Sequence, residues 1–223
     1  MNIKKLVLVA SMLLSAVTAA QAEYSAVGVQ NDVSYSDVVN GGWDVVYRGA
    51  YGGTFAANDV FSLIAAGSRV MLAGIEVGST TFDVLASATL EEVTQWTDLN
   101  QTHAANGSEW YFNGSSIGFA GLGDSISQNS ADVMGSGVFG NDPNGIERDR
   151  LSWHSNGSSL ADLSINGGWR SGSNVWLNDS TSFERVILVQ TVSAVPEIET
   201  YLMMLVGVGA IGTIVRRRKA AQA

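Results

Sequence analysis

Arg69-Val70-Met71-Leu72-Ala73-Gly74-Ile75-Glu76-Val77 is the stretch that decides the fold. It is almost entirely apolar, and Gly78-Ser79 follows it and leads into a second apolar run, Thr81 to Ala88. Two such runs joined by a short glycine-containing turn predict an antiparallel β-hairpin. We expect this hairpin to be the clearest structural element of the chain.

The residues around this hairpin have the composition of an all-β protein. Gly, Ser, Asn, Asp and Thr separate short apolar runs, which is typical of strands joined by many turns. We predict a single antiparallel β-sandwich of jelly-roll type over residues 23–192. The further strands are expected at Tyr24 to Val29, Trp43 to Tyr47, Glu109 to Phe112, Arg150 to His154, Leu160 to Ile165, Gly168 to Arg170 and Phe183 to Thr191.

Three segments of this domain are expected to lie outside the strands or to be ambiguous. Asn58 or Asp59 is placed to cap a short helix over Val60 to Ala66. Leu90 to Thr97 is ambiguous, because its two glutamates favour a helix while its valine, threonines and tryptophan favour a strand. Residues 121–147 have the composition of a loop.

The first 22 residues have the pattern of a secretory signal peptide. Lys4 and Lys5 supply the positive charge, Leu6 to Thr18 forms the apolar region, and Ala20-Gln21-Ala22 is a small-residue cleavage site. The pattern predicts that cleavage leaves Glu23 as the mature N-terminus. The alternative, a retained anchor helix, is disfavoured by the short apolar run.

The last residues, 193–223, predict a membrane-anchored tail. An uncharged run of fifteen residues, 201–215, is followed by the basic cluster Arg216, Arg217, Arg218 and Lys219. Such a helix is about 22 Å long and needs flanking side chains to span a bilayer. The cations place the end of the chain in the cytoplasm and the preceding domain outside. A buried core helix is the disfavoured alternative.

This tail resembles the PEP-CTERM sorting signal of exported bacterial proteins. The resemblance rests on Val195, Pro196 and Glu197 within the motif 195–200, on the glycine-containing span 201–215 and on the basic cluster. Ile198 stands where the family has its second proline. The resemblance implies export, an inner-membrane intermediate, recognition by an exosortase, and transfer to the surface of a Gram-negative bacterium that makes exopolysaccharide.

A second resemblance covers the middle of the chain. The phrases 106–113, 150–154, 167–172 and 177–180, together with 184–187, resemble a recurring group of uncharacterised exported domains. That group implies one β-rich domain over nearly all of residues 23–192, and it implies no activity.

Charge and cysteine content exclude several functions. The chain carries a formal charge of −9, and the domain itself is more acidic, because nineteen carboxylates stand against six arginines between Glu23 and Val195 and leave about −13. This domain has no lysine, and such a field repels nucleic acid. The absence of cysteine excludes a thiol nucleophile and a cysteine metal site.

The candidate catalytic and metal motifs are weak. Gly114-Ser115-Ser116-Ile117-Gly118 fits the nucleophile-elbow pattern, with His154 as the only later histidine, but a turn between strands is the favoured interpretation. His103 and His154 are expected to make ordinary hydrogen bonds. We therefore predict no catalytic residue, no metal site and no cofactor.

Calcium is the one ion that the composition leaves open. The loop that carries Asp142, Asn144, Glu147 and Asp149 is rich in oxygen ligands, which calcium prefers. The spacing does not fit an EF-hand, and a turn followed by solvated charges is the favoured interpretation.

Aromatic residues crowd the second half of the domain. The candidates for stacking on sugar rings, with one arginine to bond hydroxyls, are Trp110, Tyr111, Trp153, Trp169, Arg170 and Trp176. Core filling is the favoured role for any single tryptophan. In strand alternation Trp110 and Phe112 share one face and Tyr111 points to the other, so we expect one side of this strand to be open.

These observations give three hypotheses for function. The preferred one is a surface-sorted protein with a structural or adhesive role in the extracellular or exopolysaccharide matrix. The first alternative is a carbohydrate-binding module that uses the aromatics of the second half. The least favoured is a secreted hydrolase that uses two carboxylates about 5 to 9 Å apart.

Overall fold

A computed structural model describes residues 23–124, 126 and 146–190. Almost all of the regular structure in these residues is β. The strands are β1 Gln30–Ser34, β2 Asp44–Ala50, β3 Thr54–Ala56, β4 Arg69–Glu76, β5 Thr81–Thr89, β6 His103–Ala105, β7 Ser108–Phe112, β8 Ser116–Gly121, β9 Leu151–Asn156, β10 Ser164–Asn166, β11 Arg170–Ser171, β12 Asn174–Val175 and β13 Phe183–Gln190. The helices are α1 Tyr35–Asn40, α2 Ala57–Phe61, α3 Leu90–Val93 and a 3₁₀ turn, Ile146–Asp149.

The strands form two antiparallel sheets. The first has the order β1-β5-β4-β13-β2, and the second has the order β12-β11-β9-β8-β7-β6. β10 extends the second sheet by pairing with both β9 and β3. The predicted hairpin is confirmed: β4 and β5 pair antiparallel from Arg69 opposite Thr89 to Ile75 opposite Phe82. The all-β prediction is therefore confirmed for the described residues.

One hydrophobic core joins the two sheets. Alternate residues of β4, β5 and β13 meet alternate residues of β7, β8 and β9, as in a sandwich. The first sheet contributes Val70, Leu72, Val84, Ala86, Ala88, Ile187 and Val189, and the second contributes Trp110, Phe112, Ile117, Phe119, Leu151 and Trp153.

The first sheet is also buried on its opposite face. Met71, Ala73 and Ile75 of β4 point there, and they pack with Val38 of α1 and with Trp43. This second cluster explains why the β4 sequence is apolar at consecutive positions rather than at alternate ones, because both of its faces are covered.

A polar contact crosses the main core. The hydroxyl of Tyr51, the residue after β2, donates to the Arg170 carbonyl oxygen at 2.8 Å. The same hydroxyl accepts from Trp153 Nε1 at 3.2 Å. All three residues are fully buried, so the contact satisfies polar atoms that water does not reach.

The helices correct two of the sequence expectations. The predicted helix after Asn58 exists but begins earlier, at Ala57, with Ala56 as its N-cap, and it ends at Phe61 rather than Ala66. The ambiguous segment forms α3, which spans only Leu90–Val93. Thr89 and Glu92 form a capping box there, and this local signal outweighs the β preference of the valine.

Two predicted strands are wrong in whole or in part. Residues 24–29 form no strand, and the Ala26 carbonyl oxygen accepts from the side chains of Arg69 and Asn106 rather than from a neighbouring strand. Residues 160–163 are not in a strand either, and β10 starts only at Ser164. There the Asp162 carboxylate accepts from the backbone nitrogens of Ser158 and Ser159 and closes a turn.

The remaining expected strands are present with shifted ends. The one expected over 168–170 is Arg170–Ser171, and the last ends at Gln190. The predicted signal peptide, the predicted membrane tail and most of the predicted 121–147 loop lie outside the described residues. No helix in the described part of the chain is long and apolar enough to cross a bilayer.

We expect Tyr51→Phe to lower the free energy of unfolding by about 1–3 kcal/mol, because it leaves the Trp153 indole nitrogen without this buried acceptor. Urea denaturation measures the change. Tyr35→Phe, at a partly exposed tyrosine of α1, is the control and should cost less. Equal losses in the two variants would contradict a special role for the buried hydroxyl.

Candidate functional site

The site with the strongest case is the short hairpin of β11 and β12. Arg170 pairs with Val175, Ser171 pairs with Asn174, and Gly172 takes a positive φ of 59° in the turn. The hairpin brings together the two tryptophans that flank it. Trp169 and Trp176 have ring centroids 4.1 Å apart and planes tilted by 60°.

Trp176 is the most exposed aromatic side chain of the described residues, with 68% of its surface accessible. Its backbone has a φ of 66°, in the left-handed region that bulky residues rarely adopt. The next residue, Leu177, donates its backbone nitrogen to the Trp169 carbonyl oxygen at 3.2 Å and closes the loop. Strained backbone that presents an exposed aromatic is a reason to suspect function.

Trp169, which contacts the exposed Trp176 ring, is fixed to the second sheet. It is only 9% exposed, and its backbone nitrogen donates to the Ser152 carbonyl oxygen of β9 at 3.0 Å. The run that leads to it is held by Arg185, whose Nη1 donates to the Gly167 carbonyl oxygen at 2.9 Å. One ring is therefore fixed in the fold while its neighbour extends into solvent.

The other sequence-predicted sugar contacts lie inside the protein. Trp110 and Trp153 fill the core between the sheets. The expectation of an open side on this strand is wrong, because Trp110 and Tyr111, which point to opposite faces, are each 1% exposed. Tyr111 donates its hydroxyl to the Leu151 carbonyl oxygen at 2.8 Å. Arg170 is also fully buried. A buried ring offers no face to a sugar, so Trp176, which Trp169 supports, is the one predicted contact that presents an open ring face.

The turn end of the same hairpin contacts a perturbed carboxyl group that the sequence argument did not single out. Ser171 donates its hydroxyl to Asp83 Oδ2 at 2.9 Å. Burial raises the pKa of Asp83 to about 6, the serine hydrogen bond opposes this, and the negative charges of Glu76 and Asp32 add to it. The available signal was one acid inside the apolar β5 sequence.

Carboxylates of the neighbouring β1 segment and of the 3₁₀ turn form contacts of their own. Asp32, which has a φ of 56° in β1, forms an exposed ion pair with Arg148. Asp149 accepts from the side-chain nitrogen of Asn31 at 2.5 Å. These carboxylates therefore have partners, and no group of three potential metal ligands occurs among the described residues.

The nucleophile-elbow pattern forms a turn between strands. The Asn113 side-chain oxygen accepts from the backbone nitrogens of Ser115 and Ser116, and β8 follows directly where an elbow requires a helix. Ser116 does lie opposite His154 in the β8–β9 register. Ser116 is, however, only 1% exposed, which closes it to a substrate.

The remaining metal candidates are the histidines and the possible calcium loop. His103 donates Nε2 to the Glu92 carbonyl oxygen at 2.9 Å, an ordinary hydrogen bond. Asp142 and Asn144 of the possible calcium loop lie outside the described residues. The structure therefore gives no geometry for a calcium ion at that loop.

The comparisons with known proteins found no relative. No protein-family model matches the chain, and neither the curated proteins nor the solved structures contain a match.

We expect the free energy of unfolding to fall as pH rises through the range from about 4 to 6. The folded protein holds a proton on Asp83 in this range, whereas an unfolded chain, with an ordinary aspartate pKa near 4, has released it. Asp83→Asn should flatten this dependence and give a more stable protein than wild type at pH 7. Urea denaturation at pH 4.5 and 7.5 checks this.

The matched control for this test is Asp44→Asn, because Asp44 is exposed on β2. It should keep the pH dependence of the wild type. A wild-type protein equally stable at both pH values would contradict the assignment to Asp83.

Proposed function

We propose that this chain is an exported protein sorted to the bacterial surface through its PEP-CTERM-like tail. Its β-sandwich then has a structural or adhesive role in the exopolysaccharide matrix. In this proposal the export machinery and an exosortase are its processing partners, and the basic cluster 216–219 holds the tail in the inner membrane until processing.

The observation that carries the proposal is the position of the folded domain between the two sequence signals. The first described strand begins at Gln30 and the last ends at Gln190, whereas the cleavage sites fall after Ala22 and near Pro196. Cleavage at both sites therefore removes no described strand. A signal peptide and a sorting tail that flank an intact sandwich are the arrangement that an exported surface domain requires.

We also propose that the sandwich is of jelly-roll type. The last strand, β13, lies between β4 and β2 in the first sheet, although all of β6 to β12 intervene along the chain. Such a long return to a place among the first strands is the kind of connection used in Greek keys, from which jelly rolls are built.

The proposed role is binding or structural rather than enzymatic. The burial of Ser116 and the ion pairing of Asp32 both support this choice over a secreted hydrolase. We propose no cofactor for the domain.

The sorting proposal is tested by intact mass and cell fractionation of the native protein, with and without the tail from Val195 onward. We expect the wild-type protein outside the cell, beginning at Glu23 and ending near Pro196, and the tailless protein lost from the surface. Replacing the basic cluster 216–219 with glutamines is a second variant, and it should impair sorting. A full-length tail that persists in the inner membrane would contradict the proposal.

Carbohydrate binding is the second candidate, because Trp176 is exposed on strained backbone and packs at a tilt against the buried Trp169. An aromatic platform of this kind fits the apolar face of a sugar ring. A surface protein with this platform would hold exopolysaccharide directly.

We expect Trp176→Ala to weaken binding to purified exopolysaccharide by about tenfold or more, since one exposed aromatic anchor often supplies at least 1.4 kcal/mol. Affinity electrophoresis or calorimetry measures this. Trp96→Ala is the matched control, because Trp96 is also exposed but packs on Phe112 elsewhere. Equal binding by the wild-type protein and both variants would show that the β11–β12 hairpin is not a glycan-binding site.

A further inference from the structure

A pocket of about 270 Å³, open to solvent, lies at the end of the sandwich where β4 begins and β5 ends. Its lining comes from both sheets and from the start of α3, and all of it belongs to the described residues: Arg69, Ala88, Thr89, Glu92 and Asn106. This volume is close to the lower end of the range of about 300–1,000 Å³ that ligand pockets occupy. The pocket therefore has room for one small ring rather than for a large ligand.

Two of the polar side chains in this pocket are fixed by the floor beneath them. Arg69 donates Nη2 to the Ala26 carbonyl oxygen at 3.1 Å and to Ser87 Oγ at 2.9 Å. Asn106 donates Nδ2 to the carbonyl oxygens of Ala26 and Ser87, each at 2.7 Å. Both side chains are thus held in place before any ligand arrives, which lowers the entropy cost of binding.

The third polar side chain, Glu92, is fixed by the capping box of α3. Its Oε2 accepts from the Thr89 backbone nitrogen at 2.9 Å and from Thr89 Oγ1 at 3.1 Å. Its other carboxylate oxygen, Oε1, takes no part in the cap. One oxygen therefore holds the carboxylate in position and leaves the other for a ligand.

Three polar atoms of these side chains are unused. Within the described residues, Arg69 Nε, Asn106 Oδ1 and Glu92 Oε1 have no hydrogen-bond partner, and none of these atoms is shut off from water. No ion pair in this part of the chain joins Arg69 to Glu92, although both line the pocket. The pocket thus offers one donor and two acceptors, with a cation and an anion that do not neutralise each other directly.

We propose that this pocket binds one sugar residue of the polysaccharide through two neighbouring ring hydroxyls. One hydroxyl oxygen accepts from Arg69 Nε, and the two hydroxyl hydrogens are donated to Asn106 Oδ1 and Glu92 Oε1. Each hydroxyl is a donor and an acceptor at once, so a pair of them matches one donor and two acceptors. This inference rests on the glycan-binding candidate of the proposed function.

The charges of the pocket favour a ligand without net charge. Arg69 and Glu92 cancel in sum, and the acidic domain around them repels an anion such as phosphate. A zwitterionic amino acid meets the same two charges. Removing water from its ammonium and carboxylate groups costs far more than removing water from hydroxyls, however, so a sugar is the better match.

The pocket is separate from the tryptophan pair. Arg69 begins β4, whereas the β11–β12 hairpin reaches the same strand at Gly74, where an added Cβ would lie 2.0 Å from Ser171 Oγ. These two positions are five residues apart, or about 17 Å at about 3.3 Å per residue. A domain with contacts at both places holds a polysaccharide at two points, which adds avidity to its binding.

The test is calorimetry of the full-length protein in detergent with oligosaccharides from partially hydrolysed exopolysaccharide. Glu92→Gln keeps the cap of α3, because glutamine also forms capping boxes, but it replaces the free acceptor with a donor. We expect the affinity to fall about tenfold. Glu91→Gln is the matched control, since Glu91 is exposed and accepts from the Gly67 nitrogen instead. Equal affinities of Glu92→Gln and the wild-type protein would overturn the proposal.

A second measurement uses the wild-type protein and does not depend on how a variant folds. Addition of the same oligosaccharides should shift the nuclear magnetic resonance signals of the Asn106 side-chain amide, whereas glycine at equal concentration should not. A shift with glycine and none with the oligosaccharides would assign an amino-acid site and overturn the glycan pocket.

The failure of this inference differs from the failure of glycan binding as a whole. If Trp176→Ala weakens binding and Glu92→Gln does not, the β11–β12 hairpin remains a glycan site and the pocket is not one. If only Glu92→Gln weakens binding, the pocket is confirmed without the hairpin. If neither variant changes the affinity, glycan binding by this domain is wrong, and the pocket is wrong with it.

Discussion

The hydroxyl group of Tyr51 is the contact on which the sandwich depends. It lies in the middle of an apolar core and joins the first sheet to β9 and β11 of the second through Trp153 and the Arg170 carbonyl. The buried indole nitrogen of Trp153 has its acceptor there, as buried tryptophan nitrogens usually do. In a chain without cysteine, such buried polar contacts fix how the sheets face each other, a task that a disulfide performs in many exported domains.

Buried polar contacts also fix the irregular segments beside the sheets. Arg185, fully buried on β13, donates to the carbonyl oxygens of Ala50, Gly53 and Gly167, and so holds the loops that lead to the tryptophan pair. Burial lowers the pKa of its guanidinium, the direction expected when a cation loses water. Ala26 shows the converse arrangement, because its one carbonyl oxygen accepts from three side chains, those of Arg69, Ser87 and Asn106. In irregular segments, side chains supply the hydrogen bonds that backbone groups would otherwise find in a sheet.

Local sequence patterns predicted those parts of the fold in which neighbouring residues decide the structure. The β4–β5 hairpin followed from its apolar runs and its turn, and the Glu109 to Phe112 strand followed from its flanking Asn-Gly turns. The prediction of a strand at residues 24–29 is wrong because distant residues, not neighbouring ones, decide the structure there. Their apolar residues fit a strand, but their partners Arg69, Ser87 and Asn106 lie far along the chain, and no local pattern reveals them.

By itself, the sequence determined the β-rich composition, the central hairpin, the acidic and cysteine-free character of the domain, and the targeting patterns predicted at its two ends. Only the tertiary structure decided which aromatic side chains are open to solvent. Trp153 and Trp176 have the same chemistry and both lie in strand-rich sequence, yet one is buried and the other is exposed. Burial depends on what packs across from a residue, and the partners of Trp153 come from the opposite sheet, whereas the left-handed backbone at Trp176 turns its ring outward.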